Sequence, residues 1–550
     1  MVIEGDNWDA LRALRLTHAG RIRCILIDPP YNTGNKDFVY NDRFVGKDDR
    51  FKHSLWLEFL YQRLVLARDL LAEDGVILVC INDENRARLD MLMEQVFPGM
   101  RVGSFVWRTK DTNNADKSRN YSGVHEHILI YGRQEFGFIG TQIGGGKFRI
   151  RPEFGNTPVR LDPITKPETR LTRPNTYYPI QNPETGLWYP CAPNRVWAFW
   201  SERQPPRGKP KLEESIEALI LSGEIYFPFE SDPPFFFDTR QALDEAIASG
   251  AIPRDGKGRP LLRADLPDLD FWVGRDMAHG RLSRIVRWKA SMANATRPFG
   301  SWIAGLSEKI DSQETETLKS ERQGAATTLL EEIFGSKVFS FPKPLSLTKA
   351  LVRACSGDGD IVLDFFAGSA TTAHAVLALN SEDEGDRRFI MVSNTESTTD
   401  DPDKNLCRDV CAERIRHVIA GYGEVPGTGG DFAYLLARRI PEEDVMYDLD
   451  APALWTILQL RHGHHLRPYE EGRPYQISLP PNDTAETATL VLVPTVSAEV
   501  LAALTTFPGP LHVFSPAPGP LADAINRPDV SIEPIPDQLL AEFRRTVAGI

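Results

Sequence analysis

The run from Arg21 to Tyr31, R-I-R-C-I-L-I-D-P-P-Y, constrains this chain more than any other stretch. Ile22 to Ile27 is apolar and rich in β-branched residues, and reads as a buried strand. Asp28-Pro29-Pro30-Tyr31 sits where that strand must stop. Two successive prolines donate nothing to a sheet ladder, and each fixes its own φ. The chain leaves the sheet through a rigid turn that displays one carboxylate, prolyl carbonyls and an aromatic face. Open α/β sheets bind ligands at the carboxyl ends of their strands, and acceptors beside a stacking surface suit a planar group carrying an NH2. A near copy, Asp232-Pro233-Pro234-Phe235, follows F-P-F-E-S, which is no buried strand, and reads as a loop.

Around this turn the pattern is strand, helix, strand, helix, which means βαβ units and a largely parallel sheet. Val2 to Asn7 reads as a short strand and turn, and Trp8 to Leu16 as a helix. Leu55, Trp56, Phe59, Leu60, Leu64 and Leu71 recur at helical spacing. Glu73-Asp74-Gly75 is expected to close that helix with Gly75 as its C-cap, before a buried strand from Val76 to Ile81. Ser104 to Trp107 and Glu126 to Tyr131 alternate like hairpin strands around a loop carrying Lys110, Lys117 and Arg119. From about 135 to 335 the rhythm gives way to proline-rich, aromatic, irregular segments. It returns at Ile361 to Thr372, a buried strand, a turn of small residues (F-A-G-S) and a helix start. Small residues let backbone N–H groups approach a ligand there, and the helix N-terminus favours a carboxylate or phosphate. Phe389 to Val392 follows as a strand that runs into Glu396, placed to bind ribose hydroxyls. After about 430 a further small α/β unit is expected, with a helix over 444–460.

A chain of 550 residues implies two to four domains. The net charge of −13 hides local asymmetry. Residues 101–151 hold nine Lys/Arg against four Asp/Glu, residues 275–297 six against one, and residues 441–550 six against fifteen. Basic islands in the middle point to nucleic acid there, with Lys110, Lys117, Arg119, Arg281, Arg284, Arg287 and Lys289 as candidate contacts. Six scattered cysteines without C-x-x-C pairs suggest reduced thiols and a cytoplasmic location. No signal peptide and no membrane span are expected. No Walker A loop is present, so ATP hydrolysis would need another subunit. His125-Glu126-His127 lacks the helical spacing of a zinc site, and His462, His464 and His465 read as a solvated turn. No metal is expected.

The motifs I-E-G-D-N, D-P-P-Y-N-T-G, F-P-K-P and D-F-F-A-G-S, in that order, resemble the beta-type (permuted) DNA amino-methyltransferases, especially the modification subunits of type III restriction-modification systems. The likeness covers 1–135 and about 335–420, and is weaker through 175–335, in the run Tyr178 to Gly186 and in Arg195-Val196-Trp197. It implies an α/β, Rossmann-like, S-adenosylmethionine-dependent methyltransferase fold in permuted order. The catalytic half would be 1–135, a target-recognition insertion 136–335, the cofactor half 336–428, and an accessory α/β domain 429–550. It further implies methyl transfer to adenine N6 in duplex DNA by base flipping, in a restriction-modification or phage-defence system. The alternatives are cytosine N4 and a catalytically silent DNA-reading subunit. Asp28, Pro29, Pro30 and Tyr31 would be catalytic. Asp364, Phe366, Ala367, Gly368 and Ser369 would hold the methionine part of the cofactor, Glu396 its ribose, and Asp6 with Asn7 its adenine edge. Lys343 and Pro344 match the small motif before the cofactor strand. Double-stranded DNA, a second copy of the chain and a separate ATPase or nuclease subunit are the implied partners. Where the family has S-G-T-T this chain has Ser369-Ala370-Thr371-Thr372, a strained choice if position 370 needs a positive φ.

Overall fold

The computed structural model describes residues 1–33, 39–40, 43–44, 51–110, 123–140, 151, 154, 158–205, 214–228, 234–254, 258–278, 280–287, 296–308, 315–397, 402–440, 449–480, 488–535, 537, 539 and 541. Its contacts divide the chain into two units, residues 1–140 with 297–550, and residues 141–296.

The first unit is built on one large sheet. Its strands and helices run, in chain order, β1 (Val2–Glu4), α1 (Asn7–His18), β2 (Ile22–Ile27), α2 (Lys52–Leu70), β3 (Leu71–Asn82), α3 (Asp83–Val96), β4 (Arg101–Arg108), β5 (His125–Gly132), β6 (Trp302–Gly305), β7 (Lys319–Ser320), α4 (Gln323–Phe334), α5 (Leu345–Cys355), β8 (Ile361–Asp364), α6 (Thr371–Asp383), β9 (Arg388–Ser393), a π-helical turn Cys407–Ala412 continuing as α7 (Glu413–Ala420), and β10 (Tyr434–Leu436). The ten strands lie in the order β7-β6-β4-β5-β3-β2-β8-β9-β1-β10. Only β5 runs antiparallel to its neighbours. Period-two alternation splits the strand residues between two apolar layers. Ile25, Ile27, Ile77 and Val79 pack with Leu11, Trp56 and Leu92 on one face. Cys24, Leu26, Val76 and Leu78 pack with Leu351, Ala373 and Ile415 on the other. Both faces are covered, as a parallel sheet requires.

β2 and β8 pair in parallel, Cys24 opposite Val362 and Ile25 opposite Leu363. From β2 the chain proceeds through α2 to β3 on one side, and from β8 through α6 to β9 on the other. The seam between them is therefore the topological switch point of a doubly wound sheet, where the strand ends splay and leave a crevice.

Three expected boundaries change. Helix α2 ends at Leu70, and Gly75 lies inside β3 rather than capping the helix. A Cβ at Gly75 would stand 2.8 Å from the Ile22 carbonyl oxygen, so glycine is there for close backbone approach. The irregular unit is narrower than 136–335, because β6 pairs with β4 and carries residues from 297 onward into the main sheet. Likewise β10 pairs with β1, so the main sheet runs past 428.

Beyond it, helix Ala451–His462 and the strands Gln476–Ser478, Thr489–Leu492, Leu511–Ser515 and Val530–Pro534 form a four-stranded sheet with its own apolar layers. His464 is no solvated turn residue: it is buried and hydrogen-bonded to Ser478. His462 packs against His512 and Phe514. All six cysteines are buried and free. No described helix is long and apolar enough to cross a membrane.

The second unit, taken by itself, has a three-stranded antiparallel sheet of Ile225–Tyr226, Ser283–Arg287 and Val159–Pro163. One of its cores gathers Tyr178, Trp197 and Leu219, and another Leu243, Trp272 and Met277.

Candidate active site

The end of β2 delivers Asp28 and the end of β8 delivers Asp364 to the same crevice. A pocket of about 560 Å3, solvent-open space included, is lined there by Asp28, Lys343, Asp364, Phe366, Gly368 and Ser369 among others.

Asp28 uses its two oxygens differently. Oδ2 accepts from Lys343 Nζ at 2.7 Å, whereas Oδ1 is buried with no partner among the described residues. A buried, unpaired carboxylate oxygen is costly and marks a site built to receive a donor. Tyr31 donates its hydroxyl to Glu126 Oε2 at 3.0 Å, and Lys343 Nζ lies 4.9 Å from the centre of its ring. Burial, then Asp28 and Glu126, push the Tyr31 phenol well above its ordinary range. The turn is braced from outside: Trp56 Nε1 donates to the Pro30 carbonyl at 2.7 Å and Asn85 Nδ2 to the Tyr31 carbonyl at 2.7 Å.

The Phe366 to Thr371 turn is shaped for close approach. Gly368 has φ +49°, and a Cβ there would stand 3.1 Å from the Phe339 ring. Ala370 does take a positive φ, +60° with ψ 36°, at a cost of about 1–2 kcal/mol for a residue with a Cβ. Asp364 accepts from Thr372 Oγ1 at 2.7 Å and from the Phe366 N–H at 3.0 Å. Burial nevertheless lifts its carboxyl to about 7, with Asp28 pushing the same way. The folded value lies above the unfolded 3.8, so the stability of the protonated form is complete below that pH and is lost as pH rises through about 7. Asp364→Asn should therefore be more stable than the unmodified protein at pH 8, by on the order of 2–4 kcal/mol, and lose that advantage at pH 4. Melting temperatures measured across this range check the sign. A pH-independent difference would refute it.

Other expected residues are placed less simply. Lys343 belongs to the Asp28 side of the pocket, since its ammonium lies 3.5 Å from Glu126 as well. Pro344 caps α5 from outside the pocket lining. Asp6 caps α1 and pairs with Arg63 at 3.2 Å, while Asn7 donates to the Phe365 carbonyl at 2.9 Å; neither lines the pocket. Glu396 pairs with Lys404 at 2.9 Å and also lies outside the lining. Of the basic candidates, Lys117, Arg119 and Lys289 lie outside the described residues, as do Asp232 and Pro233 of the near copy. Lys110 lies just beyond β4, its carbonyl accepting from Arg108. Arg281 bonds Thr165, and Arg287 reaches the Phe154 carbonyl. Arg284 is held by Glu224 at 2.7 Å and Glu214 at 3.0 Å, which engage its charge within the second unit.

Four site residues escape sequence reasoning. Glu126 is one. Strand alternation sends His125 and His127 to the opposite face, where His127 bonds Asp83 at 3.0 Å and one polar side-chain atom from each of Asp83, His125 and His127 lies within 4.8 Å of the other two. That alternation was readable in H-E-H, and singles out Glu126 as an acid at an inward position. Arg414 is another, 1% exposed, bonding Ser369 O, Ser369 Oγ and Thr371 Oγ1 beneath the turn. His374 is a third, accepting from the Arg414 guanidinium and held neutral by burial at about 2. Phe341, at φ +57° before a proline and 78% exposed, lines the pocket mouth. Strain of this kind collects at functional sites.

Fold and pocket together define a doubly wound α/β protein with a ligand site at its switch point, where a rigid acceptor turn faces a glycine-containing turn. The chain belongs to the DNA methylase family, whose model matches residues 22–397. It is 27% identical over 495 residues to the type III restriction-modification enzyme StyLTI Mod subunit of Salmonella typhimurium, covering 82% of this chain and 62% of that one. It is 26% identical over 446 residues to the EcoPI Mod subunit of Escherichia phage P1, with 72% and 57% covered. It is also 26% identical over 410 residues to the type II methyltransferase M.KpnI of Klebsiella pneumoniae, with 72% and 80% covered. The chain thus spans about three fifths of the length of the two Mod subunits.

Proposed function

We propose that this protein transfers a methyl group from S-adenosylmethionine to the exocyclic N6 of adenine in duplex DNA, as the modification component of a restriction-modification or related defence system. The observation that carries the reading is Asp28 Oδ1, buried and unpaired in the pocket it shares with the Phe366 to Thr371 turn. The pocket residues fit the cofactor. Phe366, Ala367, Gly368 and Ser369 line the pocket beside Asp364 and are the residues to hold it. When bound, the cofactor supplies an electrophilic methyl on a cationic sulfur.

The chain's own contribution is electrostatic and geometric. An exocyclic amine is a poor nucleophile because its lone pair is delocalised into the ring. Asp28 Oδ1 accepts an amine N–H, joined by the Pro29 carbonyl, which localises that lone pair and favours the positive charge developing on nitrogen. No covalent nucleophile is required, and the six buried cysteines need no catalytic role. A paired base cannot enter such a crevice, so it is flipped out of the duplex. The Tyr31 face offsets part of the unstacking, about 1–3 kcal/mol by analogy with single-strand binders. On this reading the motif order is permuted, residues 141–296 recognise the target, the active form pairs two copies, and a separate subunit supplies any ATPase or nuclease.

Tritium transfer from labelled S-adenosylmethionine to duplex DNA tests the activity, and nucleoside analysis of the product tests the base. N6-methyladenine is expected. N4-methylcytosine would redirect the reading to the other amine, and no incorporation would refute it.

A further inference from the structure

Four side chains at the carboxyl end of β2 form one charge set. Lys343 Nζ is 2.7 Å from Asp28 Oδ2 and 3.5 Å from Glu126 Oε2. The same Glu126 oxygen accepts the Tyr31 hydroxyl at 3.0 Å. Lys343 and Glu126 are 11% and 15% exposed. Two carboxylates around one ammonium leave a net charge of −1, screened least at Lys343 and Glu126 and more at Asp28, whose side chain is 34% exposed.

We propose that Lys343 and Glu126 are positioning residues for methyl transfer: Lys343 holds Asp28 by Oδ2 so that Oδ1 faces the amine, and Glu126 offsets Lys343 so that the set keeps one negative charge. The proposal rests on the methyltransferase reading above. In the step it serves, the amine nitrogen forms the new N–C bond as the methyl–sulfur bond breaks, the bonding pair staying on sulfur. The nitrogen, now cationic, gives one proton to Asp28 Oδ1 and from there to water. An Asp28–Lys343 pair alone would be neutral and would offer the nascent cation no net attraction. With Glu126 the balance is negative, and Tyr31 ties Glu126 to the face on which the base would stack. Burial works against the Lys343 ammonium, and Asp28 and Glu126 outweigh it, keeping the group charged. Cys80 and Asp364 also face the set. The Cys80 thiol is pushed up by burial and stays neutral, and Asp364, which Asp28 also pushes up, is replaced by Asn in every protein of the Tm comparison so that its own titration drops out.

The test compares K343M, E126Q and K343M/E126Q with the unmodified full chain. The first arm, the Tm comparison with Asp364→Asn throughout, needs neither cofactor nor DNA. In K343M two carboxylates share the site with no cation, so one of them titrates above its unfolded value. Its stabilising proton is in place at low pH and lost as pH rises, so the Tm deficit of K343M should widen from pH 5 to pH 8. In K343M/E126Q, with a single carboxylate, the deficit should be flat. The second arm is turnover. E126Q should lower kcat roughly 10- to 100-fold, leaving KM for DNA within about threefold and its acid limb unmoved. The acid limb of K343M should move upward by at least about one pH unit and return in the double variant. A flat Tm deficit in K343M, or an unmoved acid limb in an enzyme that methylates DNA, overturns the charge set alone. An E126Q enzyme with unmodified kcat overturns the role of Glu126. Failure of the unmodified protein to methylate DNA overturns the methyltransferase reading and the catalytic part of this proposal, while the Tm arm still decides whether the charge set exists.

Discussion

Asp28→Ala is expected to lower the rate of methyl transfer by at least about 10^3-fold, with S-adenosylmethionine affinity changed only a few-fold. Removing one preorganised electrostatic contact from a reacting centre costs about 10^2–10^3 in kcat, and Asp28 supplies both the acceptor for the amine and the negative charge for the cation that follows. The cofactor turn lies on β8, a different strand, and its backbone is held by contacts that do not involve Asp28. Folding should change little, because two effects oppose. The substitution removes a buried oxygen with no partner, which is favourable. It also leaves Lys343 with Glu126 alone at 3.5 Å, which is not. Asp28→Asn should be nearly as inactive, because the amide can present an N–H where the substrate also brings one. Initial rates of tritium incorporation, with cofactor binding followed by calorimetry, test the pattern. Equal incorporation by Asp28→Ala and the unmodified protein would sink the mechanism.

Arg414→Met is expected to destabilise the protein by about 2–4 kcal/mol and to weaken S-adenosylmethionine binding by more than tenfold. The guanidinium is buried, which pulls it down to about 10, and among the described residues it has no carboxylate partner. It is spent instead on the carbonyl and hydroxyl of Ser369, the hydroxyl of Thr371 and the ring of His374. Those groups bracket Ala370, whose positive φ must be held by its surroundings. Methionine fills most of the volume but donates nothing, so several buried acceptors lose their partner. Relief of a buried charge offsets part of this, which is why the expected loss is not larger. Arg414→Lys, which keeps charge but lacks the fork, should fall between. Thermal denaturation and equilibrium cofactor binding give the two readouts. A variant with unmodified Tm and affinity would show that the turn holds itself.

The two contrast in how far sequence alone reaches. Asp28 was legible because its environment is local: an apolar β-branched run makes the strand, and two prolines end it, whatever lies around them. The same holds for Phe366 to Thr372, where small residues between a buried strand and a helix start imply close backbone approach. The positive φ at Ala370 was legible as a condition, and the backbone meets it. Arg414 was not legible. A lone arginine within a helix has the same local signal whether it is solvated or buried under a turn, and here the packing of α7 against α6 decides. The C-cap assigned to Gly75 failed for a similar reason. Glu-Asp-Gly reads as a helix stop, and it was the approach of the Ile22 backbone that required the glycine.

By itself, the sequence determined the pieces whose physics is short-ranged: the strand that ends at Asp28, the rigid turn after it, the small-residue turn after Asp364, and their order along the chain. Only the tertiary structure decided that β2 and β8 are neighbours, so that two motifs separated by most of the chain open into one pocket. It also decided which charges meet there. Lys343 reads from its local motif as a companion of the cofactor strand, and the fold presents it to Asp28 and Glu126 instead. Side-chain ion pairs across a sheet depend on strand order and register. Those follow from how whole layers bury their apolar faces, which no single stretch encodes.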